Sequence, residues 1–90
     1  MTVHNSEIST AFRDLADLLE IEGANRFRVR AYRNAAATID DQTRSLAAMM
    51  DAGEDLSALP GIGADLAGRI AGMIETGTLD LLEETRAEVP

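Results

Sequence analysis

Two glycines and a proline occupy three of the four positions from Pro60 to Gly63 and interrupt the chain at one point. Pro60 fixes φ at about −65° and lacks an NH, whereas Gly61 and Gly63 have no Cβ and accept backbone angles or close approaches that other residues resist. After this turn, apolar residues recur at helical spacing from Leu66 to Ile74. The sequence therefore predicts a tight, bare turn that leads directly into an amphipathic helix.

The backbone from Gly61 to Ala64 is a candidate anion-binding site. A helix that begins at Ala64 leaves its first NH groups without intrahelical partners, and the positive end of the helix dipole lies there. The NH groups of Gly61, Ile62 and Gly63 would precede it, and glycine lets a phosphate oxygen approach closely. We expect Ile62 to fill a gap in the core whichever function the turn serves. The alternative interpretation is a simple corner between two helices of a small bundle.

Composition favours helices over strands. Alanine and aliphatic residues supply most of the apolar side chains, and only Phe12, Phe27 and Tyr32 are aromatic. Such side chains suit closely approaching helices, and a chain of 90 residues forms one small domain. The absence of cysteine excludes a disulfide framework and a thiolate metal site. We therefore predict a single all-α domain over residues 1–90, a compact bundle of four to five short helices.

Capping residues and apolar spacing place these helices along the chain. A side chain able to accept hydrogen bonds precedes each predicted helix: Asn5 or Ser6 the first, Asn25 the second, Thr43 the third and Thr78 the last. Glycines end helices at Gly23, Gly53 and Gly77. The second helix runs from Arg26 to about Ile39, with a packing stripe of Phe27, Ala31, Tyr32, Ala35, Ala36 and Ile39. The residues up to Asn5, including His4, are expected to form a loose start.

Charge is distributed unevenly along the chain. The net charge is −8, with 16 acidic residues against eight arginines and no lysine, yet five of the arginines fall within residues 26–44. Arg26, Arg30 and Arg33 share the helix face opposite the packing stripe, whereas Arg28 precedes Tyr32 by one turn, so a guanidinium and a phenol could meet one phosphate. A charged face exposed only to water is the alternative interpretation. The acidic, lysine-free composition resembles that of proteins from salt-loving organisms.

Two further expectations concern location and assembly. No apolar run approaches the length of about 18 residues that a membrane span requires. The chain also lacks a charged-then-apolar leader. We expect a monomeric, cytoplasmic protein that does not contact membranes.

The pattern Leu-Pro-Gly-Ile-Gly at residues 59–63, followed by Leu-Ala-x-x-Ile, resembles the helix-hairpin-helix motif, which binds the DNA backbone without reading bases. With Phe-Arg-Val-Arg-Ala-Tyr-Arg at 27–33 and Glu-Thr-Gly-Thr-Leu at 75–79, the chain resembles the N-terminal, lyase-like domain of family X (DNA polymerase beta-like) DNA polymerases. The resemblance implies a domain that holds the 5′-phosphate side of gapped or nicked DNA in base-excision repair. It also implies a longer parent polymerase, with the nucleotidyl-transfer domain after Pro90.

The resemblance implies site residues as well. The 5′-phosphate pocket corresponds to Arg28 and Tyr32, and the hairpin contacts to Gly61 through Ala64. A monovalent cation, K⁺ or Na⁺, would be held by the backbone carbonyls of Ser57, Leu59 and Ile62. A basic position of the family after the hairpin is Asp65 here, which is expected to weaken 5′-phosphate binding.

The lysine that forms a Schiff base in lyase-active members corresponds to Arg69, another expected DNA contact. Arginine stays protonated and delocalised, so it supplies no neutral amine for a Schiff base. The α-amino group of Met1 is the one remaining amine, and no sequence feature places it at the site. We predict a DNA-binding domain without lysine-based lyase activity. A residual deoxyribose-phosphate lyase and a helical protein-interaction module are the alternatives.

Overall fold

Five α-helices and one 3₁₀ turn form the part of the chain that this computed structural model describes, residues 3–88. The helices are α1 (Asn5–Ile21), α2 (Arg26–Asp40), α3 (Leu46–Asp51), α4 (Ala64–Thr76) and α5 (Asp80–Glu88). The 3₁₀ turn, Leu56–Ala58, leads into the hairpin before α4. The predicted all-α fold is confirmed. Within the described range, no helix is long and apolar enough to cross a membrane.

Helix α1 lies at the centre of the core, because both α2 and α5 pack against it. Its contact with α2 includes the rings of Phe12 and Tyr32, which meet edge to face with centroids 5.5 Å apart. Phe12, Ala35 and Ala36 are fully buried, so the small side chains of α2 let the two helices approach closely. This packing fixes which sides of α2 remain available to other molecules.

The predicted packing stripe of α2 is wrong at its first position. Phe27 is 66% exposed, and Val29 is buried in its place. At about 100° per residue, Phe27 lies about 140° around the helix from Tyr32, whereas Val29 lies only about 60° away. The stripe therefore begins at Val29, and α2 carries an exposed aromatic ring in its first turn.

Helix starts depend on contacts that local capping rules only partly capture. Asn25 caps α2 as predicted, accepting from the NH of Phe27 at 2.7 Å. His4, not Asn5 or Ser6, is the N-cap of α1, and its NH donates to the Glu7 carboxylate at 3.1 Å. His4 is thus part of an ordered helix start rather than of a loose segment.

The Asn5 side chain is used elsewhere, which explains why it does not cap its own helix. Its Nδ2 donates to the carbonyl of Arg44 at 2.8 Å, and its Oδ1 accepts from the NH of Leu46 at 2.9 Å. These bonds hold the start of α3, whose N-cap is Ser45 and not the predicted Thr43. At α5, the NH of Thr78 donates to the Thr76 hydroxyl, and the helix begins later than predicted, at Asp80.

The hairpin and α4 close the core from one side. Ile62 is 2% exposed, and the buried residues Leu66, Ile70 and Met73 of α4 join the same cluster as the α1 and α2 side chains. Gly77 ends α4 with a φ of +81°, as its predicted position at the helix C-terminus requires. The turn before α4 is therefore anchored by one apolar side chain, while the glycines on either side of it face solvent.

Candidate nucleic-acid interface

The hairpin is a tight turn from Leu59 to Ile62. The NH of Ile62 donates to the carbonyl of Leu59 at 3.1 Å, and Gly61 has a φ of +74°. Proline at the second position and a positive φ at the third are the features of a type II turn. The preceding 3₁₀ turn is capped by Asp55, whose carboxylate accepts from the NH of Ser57 at 2.9 Å. Local chemistry thus specifies the path of the backbone into α4.

The two hairpin glycines have different roles in the fold. Gly61 needs its positive φ, which other residues adopt only with strain. Gly63 has φ −84° and ψ −177°, an extended conformation open to most residues. A Cβ added at Gly63 would meet no atom within 4 Å. The fold therefore does not require glycine at position 63. Glycine there leaves the solvent-exposed side of the backbone without a covering side chain.

The start of α4 has no cap. Asn25 and Ser45 accept from the first NH groups of α2 and α3, but Gly63, the N-cap of α4, offers no side chain. Within residues 3–88, the NH groups of Gly61 and of the range Gly63–Leu66 have no hydrogen-bond acceptor. These donors, together with the positive end of the α4 dipole, form a candidate anion-binding surface.

Ile62 contributes to this surface differently from what the sequence predicts. Its side chain is the expected core plug, at 2% exposure. Its NH is engaged by the Leu59 carbonyl, so the expectation of three successive free NH groups is wrong at this residue. A turn of this type uses the NH of its fourth residue to close the turn, which leaves the donors on both sides free.

The backbone carbonyls expected to hold a cation have a suitable chemical character. Leu59 accepts one hydrogen bond, from Ile62, whereas the carbonyls of Ser57 and Ile62 accept none from the described residues. Carbonyl oxygens are ligands of hard cations. All three groups are oxygen and not nitrogen or sulfur donors, so their chemistry fits a K⁺ or Na⁺ ion.

The arginines without an ion pair in the described chain all belong to α2. Of the eight arginines, Arg26, Arg28 and Arg30 have no ion pair with a residue of the described range. The other arginines are paired: Arg13 with Asp40, Arg33 with Asp17 and Glu20, Arg44 with Glu54, Arg69 with Asp65, and Arg86 with Asp14 and Glu83. Arg33, expected to share a free face with Arg26 and Arg30, is instead directed to α1.

Tyr32 offers less to a ligand than the sequence suggests. Its ring packs on Phe12, and the residue is 3% exposed. The hydroxyl has no hydrogen-bond partner among residues 3–88, and it is not among their fully buried unpaired oxygens, so it reaches the surface.

The carboxylate of Glu22 lies near Arg28. The pKa of Glu22 is raised by loss of hydration and by the Glu88 carboxylate, and the Arg28 guanidinium partly opposes this shift.

Arg69 lies apart from Arg28 and Tyr32, in a cavity that Ala64 at the start of α4 also borders. An open cavity of about 390 Å³ between α4 and the start of α5 is lined by Arg69, Asp65 and Asp80, with neither Arg28 nor Tyr32 in its wall. The Arg69 Nε lies 3.4 Å from the Asp65 carboxylate one turn earlier. Two carboxylates and one paired guanidinium make this cavity a poor site for a phosphate.

Thr38 is a contributor that sequence reasoning missed. Its hydroxyl on α2 donates to the carbonyl of Pro60 at 2.8 Å, and a Cβ at Gly61 would lie 3.9 Å from the same oxygen. This bond ties the hairpin to α2 across 22 residues of sequence. A threonine near a helix C-terminus carries no sequence signal for such a contact.

Phe27 is the second residue that was missed, because it was assigned to the core. The Arg26 guanidinium lies over its exposed ring at 5.7 Å from the centroid. Such cation–π contact stabilises the pair on the surface and leaves the other ring face to solvent. The helical phase relative to Tyr32 is the signal that separates Phe27 from the buried stripe.

Helix α3 and the 3₁₀ turn lead through a glycine-containing turn into α4, whose start has no side-chain cap. This is the arrangement of a helix-hairpin-helix domain. A family model described as a helix-hairpin-helix domain matches residues 3–79, and the chain belongs to this family. The DNA polymerase/3′-5′ exonuclease PolX of Bacillus subtilis (strain 168) is 34% identical over 88 residues. The match covers 98% of this chain and 15% of that relative, a family X polymerase. The predicted resemblance is confirmed.

Proposed function

We propose that this domain binds the sugar–phosphate backbone of DNA, without reading base sequence, as part of a family X polymerase that acts on gapped or nicked DNA in repair. The observation that supports this most directly is the start of α4. Its NH groups have no acceptor in the described chain, and Gly63 leaves them open although the fold does not need glycine there. A phosphate oxygen supplies the acceptors that the protein omits.

The same surface explains why base sequence should not matter. Between Pro60 and Ala64 the only large side chain is Ile62, and it is buried. Base-edge readout requires side chains that reach donors and acceptors in a groove. Backbone NH groups that contact phosphates position the DNA but carry no sequence information.

The 5′-phosphate is proposed to bind at Arg28. A terminal phosphate carries more charge than an internal one, and Arg28 is a guanidinium without an ion pair in the described chain. The Tyr32 hydroxyl, one turn later, adds one hydrogen bond. The Glu22 carboxylate nearby limits the gain.

A K⁺ or Na⁺ ion is proposed at the carbonyls of Ser57, Leu59 and Ile62. When bound, such an ion would supply positive charge that favours a phosphate. The chain's own contribution is to orient these oxygens through the Asp55 cap and the Leu59–Ile62 hydrogen bond.

The exposed ring of Phe27 is proposed as a surface on which an unpaired base stacks, because aromatic faces stack on any base.

Titration with gapped, 5′-phosphorylated DNA is the first test. Amide signals of Gly61, Gly63 and Ala64 should shift together with those of Arg28 and Tyr32. With about two to four phosphate contacts, log K should fall with log salt at a slope of about −2 to −4, at about 0.9 per contact. Base sequence should change the affinity by less than about tenfold, or 1.4 kcal/mol. Unchanged hairpin signals, or shifts only with a protein partner, would favour a protein-interaction module instead.

The second prediction concerns the missing lyase chemistry. A Schiff base requires a neutral amine, and the delocalised guanidinium of Arg69 does not supply one. Borohydride reduction in the presence of abasic DNA should therefore trap no complex with the natural domain. Arg69→Lys should give a weak trapped complex, because it restores an amine in the cavity of α4 and α5, where Asp65 and Asp80 disfavour the sugar phosphate. Efficient trapping by the natural domain, lost when the Met1 amine is blocked, would identify a residual lyase; Met1 lies outside the described residues.

A further inference from the structure

An open groove of about 310 Å³ lies beside α2 and has no role in the function proposed above. Val29 contributes to its wall, and Arg26, Arg30 and Asn34 contribute polar groups along the helix. One acidic residue, Glu20, also borders it, but its carboxylate is already bound to Arg33 at 3.3 Å. The groove therefore carries uncompensated positive charge in a chain whose net charge is −8.

The position of these arginines is unfavourable for the helix itself. Arg26 is the first residue of α2, Arg30 follows one turn later, and the first turn contains no acidic residue. Positive side chains near a helix N-terminus are repelled by the helix dipole. Five of the eight arginines are paired with carboxylates of the described chain, whereas Arg26 and Arg30, like Arg28, have no carboxylate partner there. Residues that oppose the local preference of a helix are expected at functional sites, where binding of an external ligand offsets their unfavourable energy.

The groove and Arg28 are on opposite sides of α2. At about 100° per residue, Arg26 and Arg30 each lie about 160° around the axis from Arg28. The helix between them has a diameter of about 10–12 Å with its side chains. A phosphate bound by Arg28 is therefore out of reach of the groove. A strand whose 5′-phosphate sits at Arg28 begins there and continues in one direction only, so it does not return across the helix.

We propose that the groove of Arg26, Arg30 and Asn34 is a second phosphate-binding site, which holds the backbone of the unpaired strand opposite the gap. This inference rests on the proposed function and extends it from one DNA strand to two. The guanidinium groups would bind successive phosphates, with the Asn34 amide as an additional donor. The two strands would thus be separated by the body of α2.

The test compares two ligands of the domain. One is a duplex with a 5′-phosphate whose complementary strand extends, unpaired, beyond that phosphate; the other is the same duplex with a blunt end. The natural domain should prefer the extended duplex. Arg26→Gln/Arg30→Gln should weaken binding to the extended duplex by about tenfold and reduce its salt slope by about 1.4, or about 0.7 per lost contact to a single strand. Its affinity for the blunt duplex should be nearly unchanged.

Two matched variants separate the groove from general charge effects. Arg44→Gln/Arg86→Gln removes the same charge from surface ion pairs and should keep the preference for the extended duplex. Arg26→Lys/Arg30→Lys should retain most of the salt slope, because both charges remain. The proposal is wrong if the groove variant keeps the natural preference and slope, or loses affinity for both duplexes equally. Failure of the natural domain to bind either duplex would instead remove the proposed function, and this inference with it.

Discussion

Gly63→Asp should lower the affinity for gapped DNA at least tenfold, about 1.4 kcal/mol, without destabilising the fold. Aspartate is a preferred N-cap residue, and the extended backbone at this position accepts it with no atom within 4 Å of its Cβ. Its carboxylate would take the free NH groups at the start of α4 and place negative charge where a phosphate should bind. Fluorescence anisotropy with labelled DNA measures the loss.

The same variant should be more stable than the natural domain, although it binds DNA more weakly. A cap in place of glycine should raise the free energy of unfolding by a few tenths to about 1 kcal/mol, as urea denaturation would show. Gly72→Asp is the matched control, since it adds the same charge to α4 about 13 Å further along the helix, also in open space. Gly63→Asp binding DNA as tightly as Gly72→Asp would exclude the NH groups of α4 as the phosphate site.

Ile62→Ala should have the largest effect on stability of the changes near the hairpin, a loss of about 2–5 kcal/mol in the free energy of unfolding. The side chain is 2% exposed and is the only apolar group that anchors the turn between Pro60 and Ala64. A domain of this size has a total stability of about 5–15 kcal/mol, so the variant would be near the threshold of folding. Urea denaturation gives the value.

Ile62→Val is the conservative comparison. It should cost about 0.5–1.5 kcal/mol and retain DNA binding, because the turn and its NH groups are unchanged. If Ile62→Ala loses less than about 1 kcal/mol, the side chain does not anchor the hairpin. DNA affinity measured on the folded fraction of Ile62→Ala then shows whether a turn without its anchor still presents the donors together.

The fold could be predicted where the determinants are local. Asn25 marks the start of α2 through its capping side chain and Gly77 marks the end of α4 through its positive φ, and the structure places both boundaries as predicted. The errors arise where a side chain acts at a distance. Asn5 was expected to cap α1 but hydrogen bonds to the start of α3, about 40 residues later, and no local pattern specifies that choice.

The candidate site could likewise be predicted only where its determinants are local. The turn from Leu59 to Ile62 and the exposed glycines were predictable, because proline and glycine restrict the backbone locally. The choice between Phe27 and Val29 as the buried residue of α2 was missed: both are apolar, and only their helical phase relative to Tyr32 separates them in the sequence. Ion pairing likewise depends on the neighbour, so the sequence did not reveal that Arg33 is bound to α1 while Arg30 is free.

The hydrogen bond from Thr38 to Pro60 joins the two elements that are proposed to bind DNA, the hairpin and α2. If each binds a phosphate, their fixed spacing would turn the second contact into an intramolecular event with a high effective concentration. The avidity gained in this way is lost when the two elements move independently, even if every phosphate-binding group remains. On the proposed function, DNA affinity would thus depend on the Thr38 hydroxyl, which is bound to the carbonyl of Pro60.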